Sequence, residues 1–147
     1  MSSNYFVEIT ENKLNIQEAL NYASANAHGA VASFIGTIRD KNLGRDVVAV
    51  SYDSSTPLAT NVLSEICREV QEQTTGPLRI YISHFKGRLL VGEASIVIAV
   101  SSPHRNESFV ACRLLLEEIK KRCPIWKKEH YSDGNSEWVK GHALCQH

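Results

Sequence analysis

The sequence predicts an α+β protein whose strands occur in pairs between helices and pair largely antiparallel. Three observations carry this prediction. Strand-like and helix-like segments follow one another as β-α-β-β-α-β-β-α-β-β, whereas a doubly wound parallel sheet would place single strands between helices. Two helix starts are fixed by the same device, a hydroxyl residue followed by proline, at Thr56-Pro57 and Ser102-Pro103. Two short runs, "IWKKEHYS" and "EWVK", flank "DGN" and read as a closing hairpin.

Each element has a local cause. "VEIT" (7–10) reads as a strand, and Asn15 with Glu18 three residues later gives a capping-box-like start to a helix over roughly 16–26. "GAVASFIGTIR" (29–39) is small, apolar and β-branched, which predicts a buried strand. "DKNLG" (40–44) is turn chemistry, and "VVAVSY" (47–52) reads as the next strand. The helix opened by Thr56-Pro57 runs to about Gln73, with Leu58, Val62, Leu63, Ile66 and Val70 on one side, and "TTGP" (74–77) breaks it. "LRIYISHF" (78–85) alternates like a half-buried strand. "GRLLVGE" (87–93) is a glycine-bracketed connection, and "ASIVIAVSS" is another strand. The helix after Ser102-Pro103 lasts to about Arg122, where Pro124 disfavours continuation.

The totals bound the function. A chain of 147 residues fits one domain. Acidic and basic residues balance at 16 each, so any anion site must be local rather than a whole-chain field, and binding to nucleic acid or an anionic membrane is disfavoured. No secretory pattern opens the chain, and "ASIVIAV" is too short to span a bilayer. Cys67, Cys112, Cys123 and Cys145 form no C-x-x-C pair and no zinc-like spacing, which suits reduced, mostly buried thiols in a cytosolic protein.

The candidate chemistry is cationic. His104 and Arg105 fall in the first turn of a helix, where free N–H groups and the dipole favour an anion. In the same helix Phe109, Cys112, Leu116, Ile119 and Cys123 share a face, and Lys120 lies at its border. Pro124 turns the chain, and Ile125-Trp126 can pin the following strand to the core. Alternation puts Trp126 and Lys127 on opposite faces. If the chain doubles back, Lys127 approaches Lys120, and two close ammonium groups lower each other's pKa. Arg39 is delivered by a strand end into a glycine-containing loop. Cys123, among cations but on an apolar helix face, reads as packing rather than nucleophile. A lysine–tryptophan stretch would also suit an RNA-binding module, but neutral charge and 7% aromatic residues count against it.

Taken together, "GAVASFIGTIRDKNLG", "GRLLVGEASIVIAVSSPHR" and "IKKRCPIWKKE" followed by "EWVKG" resemble the large, catalytic subunit of molybdopterin synthase, in the family's order over roughly residues 29–141. The resemblance implies an α/β-hammerhead fold, a dimer of large subunits, and a small ubiquitin-like subunit docked on each, in the cytoplasm. It implies transfer of two sulfurs to cyclic pyranopterin monophosphate, from the thiocarboxylate on the small subunit's C-terminal Gly-Gly, forming the molybdopterin dithiolene. No metal, cofactor or cysteine nucleophile is implied. By position, Lys120 and Lys127 match the family's active-site lysines, Arg39 its strand-end arginine, and His104-Arg105 its anion-binding pair, which can serve the neighbouring subunit's site. The chain departs from the family's Tyr-Glu-x-Tyr at Tyr52-Asp53-Ser54-Ser55 and from His-Arg-x-Gly at His84-Phe85-Lys86-Gly87. Those departures leave room for a scaffold that has kept the fold and lost the chemistry.

Overall fold

The computed structural model describes residues 4–138, so Cys145 and the "VKG" that ends the last motif lie outside the described residues. The elements run β1 (Tyr5–Thr10), α1 (Ile16–Ala23), β2 (Ala30–Thr37), β3 (Lys41–Asn42), β4 (Arg45–Ser54), α2 (Thr56–Gln73), β5 (Arg79–Phe85), β6 (Gly87–Leu90), β7 (Ala94–Ser102), α3 (Arg105–Arg122), β8 (Ile125–Tyr131) and β9 (Ser136–Trp138). One sheet has the order β1-β5-β7-β2, and only its β1–β5 pair is parallel. The second has the order β3-β4-β8-β9, with β6 also paired to β4, and is antiparallel throughout. The predicted α+β class with largely antiparallel pairing is what the chain forms.

Local causes act where expected. Asn15 accepts the Glu18 amide at the start of α1, at 3.0 Å. Pro57 sits in the first turn of α2. α3 ends at Cys123, whose amide still reaches the Ile119 carbonyl, before Pro124 redirects the chain. The core lies between one face of the first sheet, the buried sides of α2 and α3, and the inner face of the second sheet. Leu63, Ile66, Ile82, Ile98, Leu115 and Ile119 are all fully buried there. A smaller cluster under α1 joins Ala19 and Ala23 to Tyr81, Val97 and Ala99 on the other face of the first sheet.

Four expectations are corrected. β2 is not a buried strand: it is the outer edge of its sheet, and Val31 is 44% exposed. β5 is covered on both faces rather than half-buried, because α1 lies over the face bearing Tyr81, where Ser83 Oγ donates to Glu8 Oε2 at 2.8 Å. The glycine-bracketed connection contains a strand, β6, paired with β4 from Ala49–Leu90 to Tyr52–Gly87. On α3 the buried face is Ser108, Ala111, Cys112, Leu115 and Ile119, which leaves Phe109 66% exposed. Among the described residues no helix is long and apolar enough to cross a membrane.

Candidate active site

Three chain segments converge on one cavity of about 390 Å³. The first is the exit of β2. The pairing of β2 with β7 shifts between Gly36 and Thr37, and the chain leaves the sheet through Ile38, which is buried and pinned on both sides. Its amide donates to the Glu93 carbonyl at 3.0 Å, and its carbonyl accepts from Gly92 at 2.8 Å. The next residue, Arg39, is thereby held at the cavity mouth, followed by Lys41. The second is the end of α3, where Leu116 and Lys120, one turn apart, both face the cavity. Three cations in the last turn of that helix complement the negative end of its dipole. The third is β8, whose alternation sends Ile125, Lys127, Glu129 and Tyr131 inward and Trp126, Lys128 and His130 outward.

Trp126 therefore does not pin the strand. Ile125 does, at 1% exposure, and Trp126 is 43% exposed. The consequence for Lys127 is burial, to 4% exposure, opposite Tyr52 of β4. Tyr52 and Ser95 complete the polar lining, with Phe34 and Ile96 supplying apolar wall. Burial pushes the Lys127 pKa down to about 8; Glu129 opposes that shift, while Arg39 and Lys120 reinforce it. At neutral pH an amine titrating there is about nine-tenths protonated, and it can give up its proton at small cost.

The structure thus brings together Arg39, Lys120 and Lys127. It does not bring His104 and Arg105 to the same cavity in this chain. Both are exposed at the opposite end of α3, His104 as its N-cap residue without a side-chain cap bond. Arg105 and Lys120 lie fifteen helical steps apart, a rise of about 22 Å. Lys86 does not reach the cavity either. It turns to Thr56 Oγ1 at 3.2 Å and Asp53 at 3.8 Å, while Phe85 packs in the core.

Cys123 is fully buried, and its thiol is pushed up to about 12 by burial; Cys67 rises to about 12 and Cys112 to about 11 for the same reason. None of the three is a thiolate at neutral pH. Among the described residues no group of three or more His, Cys, Asp or Glu side chains could hold a metal ion. Sequence reasoning missed Lys41, Tyr52 and Glu129 as cavity residues. The signal for Glu129 was present: a strand that sends Lys127 inward must send Glu129 inward too.

Fold and cavity define the class: an α+β protein with a cation-lined pocket where two sheets and the end of a helix meet. The family described as "MoaE protein" matches residues 9–122. The molybdopterin synthase catalytic subunit of Synechococcus elongatus is 42% identical over 140 residues, spanning 95% of this chain and 85% of that protein. The X-ray crystal structure of molybdopterin synthase from Staphylococcus aureus superimposes with a TM-score of 0.87 at 30% identity, covering 96% of this chain and 100% of that one. A complex of subunits 1 and 2 of the molybdopterin-converting factor from Helicobacter pylori matches with a TM-score of 0.76, over 93% of this chain and 92% of that one. At 20% identity that last likeness is one of fold. The chain belongs to the MoaE family, that of the molybdopterin synthase catalytic subunits.

Proposed function

We propose that this chain is the sulfur-transferring subunit of a molybdopterin synthase. It would accept the C-terminal thiocarboxylate of a small ubiquitin-like partner into the Lys120–Lys127 pocket and pass two sulfurs in turn to cyclic pyranopterin monophosphate. The observation that supports this most is Lys127: buried to 4% exposure, shifted to about 8, and sharing its cavity with Lys120 and Arg39. A protonated lysine there holds a thiocarboxylate and stabilises oxyanion charge as sulfur attacks, and its lowered pKa lets it move a proton in the same step. Arg39 is placed to take one face of the substrate phosphate through paired hydrogen bonds.

His104 and Arg105 take part through a second copy. In this reading the large subunits pair, and each supplies its exposed His104-Arg105 to the neighbour's pocket. The edge position of β2 and the exposed Val31 and Phe109 beside it favour such a pairing. The working assembly is then a heterotetramer in the cytoplasm.

Reconstitution tests the reading. The chain is combined with a thiocarboxylated small partner and cyclic pyranopterin monophosphate, and dithiolene formation is measured. Without the partner no product forms. Lys120→Ala and Lys127→Ala each lower the rate by on the order of 100-fold or more. Wild-type turnover in both variants would remove the lysines from the chemistry, and absence of product in the complete mixture would favour a scaffold.

A further inference from the structure

A buried carboxylate sits in this otherwise cationic cavity. Glu129 is 4% exposed and lies two residues beyond Lys127 on the same face of β8. Burying a carboxylate is costly unless it is charge-paired and hydrogen-bonded. Glu129 shares its strand face and cavity with Lys127, whose charged form it favours, and it accepts a hydrogen bond. Asn42, at the end of the two-residue strand β3, donates its side-chain amide to Glu129 Oε1 at 2.6 Å. The hairpin that carries Asn42 is itself fastened: Lys41 pairs with Asp46, Val47 donates to the Asp40 carbonyl at 2.8 Å, and the Arg45 guanidinium stacks 3.5 Å from the Tyr131 ring centre. An asparagine at the end of a two-residue strand has solvent available, yet this one is spent on an inward side chain of a different strand.

We propose that Asn42 and Glu129 are positioning residues for Lys127: the Asn42 amide fixes the Glu129 carboxylate, and that carboxylate holds the Lys127 ammonium in the pocket. The other titratable groups lining the cavity with Lys127 are Arg39 from the exit of β2, Lys41 from β3, Lys120 from α3 and Tyr52 from β4. Lys41 is already paired with Asp46, so among the described residues Glu129 is the one carboxylate of the lining, set against the Arg39 and Lys120 charges. It keeps a buried ammonium charged against those two like charges. Asn42 acts at one remove, by denying the carboxylate other rotamers.

The inference rests on the sulfur-transfer reading only where activity is concerned, because the pairing itself can be read without substrate. Lysine side-chain NMR on the isolated chain follows Lys127 through a pH titration. In the unsubstituted chain it titrates near 8. Glu129→Gln, which keeps shape and acceptor but not charge, moves the midpoint down by on the order of one pH unit. Asn42→Ala moves it the same way by less, and the double variant goes no lower than Glu129→Gln alone. Glu129→Asp, which keeps the charge, recovers part of the shift. An unmoved midpoint in Glu129→Gln overturns the proposal, as does an Asn42→Ala effect that persists undiminished in the Glu129→Gln background. If Glu129→Gln fails to fold, Asn42→Ala on its exposed hairpin carries the test, and an unmoved midpoint there overturns the role of Asn42. Activity then separates the two claims. If the titration moves and the pH–rate profile of sulfur transfer moves with it, both stand. If the titration moves while the profile does not, the positioning pair stands and the catalytic role of Lys127 falls.

Discussion

Five cations crowd residues 120–128, and the structure gives each a different environment. Lys120 and Lys127 enter the cavity from a helix end and a strand. Lys121 is exposed and lies 3.9 Å from Glu118. Arg122 closes α3 onto α2 with two parallel bonds to Glu69, at 2.7 and 2.9 Å, and a third to Glu118 at 3.2 Å. Lys128 reaches over the Trp138 ring, 5.6 Å from its centre. Periodicity separates these roles because each side chain's direction follows from its element. A second residue-scale consequence concerns His84, which is fully buried, edge-on to Tyr52, with Nδ1–H donating to the Phe85 carbonyl at 2.8 Å. Burial lowers its pKa from 6.5 to about 4. Between those values the unfolded chain binds a proton that the native chain refuses. Stability therefore falls as pH drops from 6.5 toward 4 and gains no further loss from this residue below 4. The full window corresponds to about 3 kcal/mol. Denaturant midpoints across that range should fall less steeply in His84→Gln than in the unsubstituted chain. Equal slopes would mean that His84 takes its proton while still folded.

At the scale of elements, what was legible depended on whether the cause was local. An Asn15 cap placed the start of α1 and Thr56-Pro57 that of α2, whereas Ser102 stays in β7 and α3 opens two residues later than Ser102-Pro103 predicts, with His104 as its N-cap. Strand alternation put Lys127 and Trp126 on opposite faces. Which of those faces meets the core is a tertiary matter, and Trp126 was assigned to the wrong one because its bulk outweighed the lysine in a reading without neighbours. The edge position of β2 and the pairing of β6 are likewise set by which strand lies alongside, and a strand's own letters carry that poorly. Arg39, Lys120 and Lys127 were readable as a set and Glu129 followed from the alternation that turns Lys127 inward, whereas Asn42 needed its contact with Glu129 to be seen. Gly36 shows how tightly the β2 exit is built. A Cβ there would lie 2.8 Å from Ile96 Cγ2 and 3.4 Å from Ser95 Oγ, and both neighbours line the cavity. Ile96 is β-branched and stiff at χ1, so it cannot swing aside cheaply. Gly36→Ala is expected to cost about 1–3 kcal/mol by denaturant unfolding and to weaken substrate binding through the displaced wall. A variant as stable as the parent would show that β2 can slide at its bulge.

For the whole molecule the question is how one chain's residues are divided between two sites. Within a chain, α3 holds Arg105 and Lys120 apart by most of its length, so a pocket that needs His104-Arg105 must borrow it from another copy. His104-Arg105 opens the helix that carries the exposed Phe109, which lies beside β2 residues Val31–Phe34. In the proposed pairing, self-association through that surface would carry each Arg105 toward a neighbour while leaving its own Lys127 behind. A twofold arrangement makes the exchange mutual. Complementation reads this directly. Lys127→Ala and Arg105→Ala chains, each nearly inactive alone, are mixed after reversible dissociation. In a mixed dimer the Arg105→Ala chain contributes an intact Lys127, and the Lys127→Ala chain contributes an intact Arg105 to that same pocket. One site in two is whole, and random pairing makes half of the dimers mixed. About a quarter of the unsubstituted activity should return, as twofold exchange requires. Replacing Phe109 with Glu in both chains should abolish the recovery by separating the copies. Recovery no greater than the sum of the two separate variants would place Arg105 outside the neighbour's pocket and confine each site to a single chain.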